Sequence, residues 1–129
     1  MLSSRELRLA LAVVTGVLFE AVFVWKFEAY SAREHGHDTM RLWALPVAAF
    51  AAGLLLSLGS IGRKIWIAVA LLGGMFAANA CLIVLDCAQD PTNHNLWPFE
   101  FVILGVGAAP VFAGVGVSAL FGRMRGRVN

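Results

Sequence analysis

The chain has 129 residues, of which 60% are hydrophobic and only 14% charged, and its formal net charge is +2. A soluble domain of this size leaves much of its surface in water and cannot hide so much apolar side chain. The composition excludes a disordered chain, a nucleic-acid module and a disulfide-stapled secreted domain; it implies an integral membrane protein with one domain over residues 1–129.

A bilayer-crossing helix needs about 20 mostly apolar residues. The first such run is Leu7 to Phe27. It is roughly twice the length of a signal-peptide core and contains Glu20, so it reads as an uncleaved span. Ala12, Gly16 and Glu20 recur every four residues and share one face. The segment that follows reads Glu34-His35-Gly36-His37-Asp38-Thr39-Met40. A second, shorter run covers Leu42 to Leu58, with Ala44, Ala48 and Ala52 in line. A third covers Ile65 to Leu85, with Ala70, Gly74 and Ala78 beside Gly73 and Ala77. After a polar stretch from Asp86 to Glu100, the fourth run covers Phe101 to Phe121. It carries two small-residue lines, Gly105-Ala109-Ala113 and Gly114-Ser118-Gly122, and Pro110 predicts a bend inside it.

Lipid admits only helices or closed barrels, and continuous apolar runs choose helices. Small residues let membrane helices approach closely. The expected fold is all-α: an up-down-up-down bundle of four transmembrane helices. The two halves have a similar hairpin plan, although residue identity between them is negligible.

Basic residues orient such a bundle. With the N-terminus inside, the cytoplasmic side holds Arg5, Arg8, Arg63, Lys64, Arg123, Arg125 and Arg127, and the outer side holds Lys26, Arg33 and Arg41. Both termini are therefore expected in the cytoplasm, in a cell inner (plasma) membrane. Only one acid, Glu6, lies inside, and seven lie in the outer half, so the two sides carry +6 and −4. Trp25, Trp43 and Trp97 fall at outer ends and Trp66 at an inner end, an interfacial belt.

The polar residues that need explaining all lie toward the outer side. A carboxylate at the depth of Glu20 is costly and normally faces protein or water. It reads either as a proton or cation site, or as a protonated group bonded to a neighbouring helix. Asn79 lies at similar depth, seven residues before Asp86; it reads either as interhelical glue or as a candidate partner of Glu20. Glu20, Asn79, Asp86 and Glu100 form the candidate binding set. His35, His37, Asp86, His94 and Glu100 form a candidate metal set, suited to a divalent or copper ion. Pro98 and Glu100 also suit the first turn of a helix without any chemistry. Cys81 is expected to be a small core residue, and Cys81 and Cys87 are poorly placed to bridge. No nucleophile elbow, phosphate loop or zinc-protease motif is present in the sequence.

The leading expectation is a non-catalytic binding protein or accessory subunit, partnered by the bilayer and by a second copy or a larger membrane complex. The alternatives are a metal-dependent membrane enzyme using the outer histidines and carboxylates, and a small cation- or proton-coupled transporter using Glu20.

Overall fold

The computed structural model describes residues 3–25, 39–60, 64–89 and 97–125, with backbone only for 39–42, 97 and 125. Among them all regular structure is helical. Helix α1 spans Ser4–Phe19 and runs on into a π-helical turn, Glu20–Trp25. Helix α2 spans Thr39–Ser57, α3 Ile65–Gln89, α4 Trp97–Ala108 and α5 Pro110–Arg125. Three stretches are long and apolar enough to cross a membrane: Ser4–Trp25, Ile65–Gln89 and Pro98–Met124. The apolar part of α2, Trp43–Ser57, is shorter.

Local chemistry explains the boundaries. Ser3 caps α1, its Oγ accepting from the Glu6 N–H (3.3 Å) while the Ser3 N–H donates to the Glu6 carboxylate (2.7 Å). This reciprocal box satisfies two N–H groups that the first turn leaves open. Pro110, where the sequence predicts a bend, lies at the break between α4 and α5. It offers no N–H to the Val106 carbonyl, which accepts instead from the Ala109 N–H (3.3 Å), and the chain restarts as α5. Pro46, by contrast, lies within α2 without ending it.

An up-down bundle with short connections usually packs sequence neighbours side by side. Here the closest partners are alternate helices, α1 against α3 and α2 against α5. Each pair crosses through reciprocal glycines. A Cβ on Gly16 would strike the Leu71 carbonyl and come within 2.8 Å of the Met75 nitrogen, and one on Gly74 would strike the Val13 carbonyl. In the second pair a Cβ on Gly53 would strike the Val111 carbonyl, and one on Gly114 the Phe50 carbonyl. In every case the glycine meets the carbonyl three residues before the partner's glycine. That is the signature of two helices related by a local twofold axis.

Gly16 is thus matched to Gly74 and Gly53 to Gly114. Two cations also join the helices. The Arg8 guanidinium donates to the carbonyls of Leu56 (3.0 Å) and Leu58 (2.6 Å) at the end of α2. The Lys64 ammonium donates to the Ser118 carbonyl and hydroxyl (both 3.2 Å) within α5. Arg8 sits where the C-terminus of α2 presents unpaired carbonyls and negative dipole. Arg8 and Lys64 thus tie neighbouring helices together, beyond any role in orientation.

The buried core is Ala12, Leu45, Ala49, Ile67, Ala68, Leu71, Met75, Leu104, Ala108, Val111 and Val115. The buried face of α2 is Leu45-Ala49-Gly53-Ser57, one position off the expected Ala44-Ala48-Ala52 line, of which Ala44 is exposed. The Gly105-Ala109-Ala113 line is likewise displaced: Ala109 and Ala113 are exposed, while Gly114 and Ser118 are buried. When nearly every residue is apolar, hydrophobicity no longer marks the inner face, and the position of a backbone crossing decides it.

Candidate functional site

Among the described residues four polar side chains are buried: Glu20, Ser57, Asn79 and Ser118. Each follows a crossing glycine by about one turn. The two serines bond within the fold. The Ser57 hydroxyl donates to the Gly53 carbonyl (2.6 Å), and the Ser118 hydroxyl accepts from Lys64. The other two, Glu20 and Asn79, lie on the paired α1 and α3, beyond the first crossing.

Glu20 is 2% exposed. The small-residue line Ala12-Gly16-Glu20 is buried throughout, as its spacing predicts. At Glu20 the helix widens into the π-helical turn with no proline in this segment to force it. Such turns recur at functional sites because the extra residue turns side chains off the regular helical stripe. Asn79 is fully buried in line with Leu71 and Met75. Its amide oxygen and nitrogen have no hydrogen-bond partner among the described residues, so the expected hydrogen bond to Glu20 is not formed. A buried amide without partners costs about 1–3 kcal/mol of stability, which makes it a feature that packing alone does not explain.

Beside Glu20 lies a cleft of about 370 Å³. Val17, Glu20, Ala21 and Trp25 form one wall, and Ala77, Ala78, Cys81, Leu82 and Leu85 form the other. Among the described residues of the lining, Glu20 is the one carboxylic acid. Val17, Ala77, Cys81 and Leu85 are exposed, so the cleft opens sideways on the flank of the bundle. Cys81 is not the core residue that the sequence suggests; its side chain is exposed. The small side chains opposite Glu20, Ala77 and Ala78, create the space.

Asp86 and Glu100 are half-buried, near the end of α3 and in the first turn of α4. His35, His37 and His94, which would complete the metal set, lie outside the described residues. Among the described residues no three His, Cys, Asp or Glu side chains gather closely enough to hold a metal ion.

The fold and this site define a class: a helical bundle whose apolar helices are long enough to span a membrane, with a carboxyl group buried beside a lateral cleft. No family model matches the chain, and no curated protein or solved structure gives a match.

Proposed function

We propose that this is a small multi-pass membrane protein, with both termini cytoplasmic in the plasma (inner) membrane, that acts as a non-catalytic binding or accessory protein. Its binding site is the cleft between α1 and α3. The observation that carries this reading is Glu20, a carboxyl group 2% exposed, set at a π-helical turn on the wall of an otherwise apolar recess. Ligand sites are typically concave and mostly apolar, with a few placed polar groups. In a bilayer the exposed edge of this cleft faces acyl chains, so its ligand enters from the lipid.

Native mass spectrometry of protein extracted directly from its membrane tests this. A retained small molecule is expected on the wild type and lost from Ala77→Phe, which fills the recess from its exposed rim. Identical retention by both proteins, or none by the wild type, overturns the reading.

The π-helical turn at a buried carboxyl also favours a second reading, cation- or proton-coupled transport through Glu20. It requires proton flux in liposomes that Glu20→Gln abolishes; unchanged flux eliminates it. A metal-dependent enzyme built on His35, His37, Asp86, His94 and Glu100 requires a stoichiometric metal that His94→Ala releases.

A further inference from the structure

Resting on the membrane reading but not on the cleft, we infer that the end of the bundle carrying Arg8 and Lys64 is a docking surface for an anionic phospholipid. The hydrogen bonds fix which helix ends meet there. Arg8, in the second turn of α1, donates to Leu56 and Leu58 at the end of α2. Lys64, just before α3, donates to Ser118 in the second half of α5. Only a short connection separates Leu58 from Lys64. The start of α1, the end of α2, the start of α3 and the end of α5 therefore gather at one end of the molecule.

Among the side chains described at that end, Arg5, Arg8, Lys64 and Arg123 are basic and Glu6 is the one acid. Glu6 is engaged in the capping box with Ser3. Arg8 and Lys64 are half-buried, yet their partners among the described residues are neutral carbonyls and one hydroxyl. Carbonyls satisfy N–H groups but leave the net charge uncompensated, and charges withdrawn from water are normally paired. Donors remain as well: both Arg8 bonds leave from one terminal nitrogen of a group with five N–H, and Lys64 engages two acceptors with three N–H. Each cation stands beside a glycine. A Cβ on Gly59 would lie 3.7 Å from Arg8 Nη2, and one on the exposed Gly122 would lie 3.7 Å from Lys64 Nζ. Alongside these charges Leu11, Ile65, Trp66 and Phe121 are exposed and apolar. Contacts for a phosphate and for acyl chains thus coincide, which selects a phospholipid over a free phosphate ion. Basic clusters at the ends of membrane helices attract anionic head groups in this way.

Trp66, two residues beyond Lys64, provides the readout. Full-length protein retaining Trp66 alone, with Trp25, Trp43 and Trp97 replaced by Phe, is titrated in a nonionic detergent with two brominated lipids. These are phosphatidylglycerol and phosphatidylcholine with the same dibrominated chains. Phosphatidylglycerol is expected to reach half-maximal quenching at a mole fraction roughly fivefold below phosphatidylcholine, the selectivity that one cation near a membrane surface provides. Protein retaining Trp43 alone, at the start of α2 and so at the opposite end, shows no such preference. Gly122→Leu keeps every charge but covers the Lys64 ammonium, and Lys64→Gln keeps a donor to Ser118 without the charge; each reduces the preference, and Lys64→Arg retains it. Sodium phosphate displaces the lipid no better than sodium chloride of equal ionic strength. Equal quenching by the two lipids overturns the inference and leaves the membrane reading standing. So does a preference that survives Gly122→Leu and Lys64→Gln but is lost in Arg5→Gln, which would make the attraction diffuse surface charge. Displacement by phosphate beyond that by chloride makes the ligand a free anion and overturns the lipid. Quenching by neither lipid overturns the membrane reading too. The two-lipid comparison needs no change at Arg8 or Lys64, so it stands even where a variant fails to fold.

Discussion

Asn79 weighs against the stability of the bundle. Its amide is fully buried without a hydrogen bond among the described residues, so Leu at this position removes a desolvation cost and adds apolar contact. Asn79→Leu should stabilise the bundle by about 1–3 kcal/mol. Its unfolding midpoint in a detergent titration checks this; a lower midpoint than wild type would show that Asn79 is satisfied structurally. Arg8 is a contrasting case. Its guanidinium closes two carbonyls at the end of α2, so Arg8→Met should cost about 1–3 kcal/mol in the same assay. Arg8→Lys should recover part of that loss. The inward face of Glu20 was legible from its four-residue spacing with Ala12 and Gly16. The cleft beside it was not, because its walls are alanines and aliphatic residues indistinguishable from the rest of α3.

At the level of helices, the crossings make unequal demands on similar glycines. Gly16, Gly53, Gly74 and Gly114 each face a partner backbone that cannot move aside without parting the helices. Alanine at any of them should cost about 1–3 kcal/mol, the usual range for overpacking. At Gly73 and Gly116 an added Cβ would meet nothing within 4 Å, and alanine there should be neutral within about 0.5 kcal/mol. Chemical unfolding of the six variants in one detergent checks the division; equal effects at all six would contradict the crossing geometry. Sequence spacing identified Gly16, Gly74 and Gly114 as contact residues, but it chose Ala48 over Ala49 and Gly53 on α2. The break at Pro110 was predictable because a missing N–H acts locally, whatever the surroundings.

For the molecule as a whole, pairing alternate helices means that neither hairpin contains its own closest partner. The N-terminal hairpin expressed alone should therefore fail to form a protease-resistant unit. Co-expression with the C-terminal hairpin should restore one, as limited proteolysis of the membranes would show. A stable isolated hairpin would mean that contacts within the hairpin, between α1 and α2, suffice. Reporter fusions at each terminus test the proposed orientation, and activity of both reporters on the cytoplasmic side is the expected outcome.

The amino-acid order alone determined the helical class, the number of apolar segments and the inward face of Glu20. Each follows from local periodicity or from bulk solubility, which need no knowledge of neighbours. The pairing of α1 with α3 and of α2 with α5, the exposure of Cys81 and the recess beside Glu20 were decided only in three dimensions. They depend on which backbones touch, and a chain apolar on nearly every face does not encode that choice in its hydrophobic pattern.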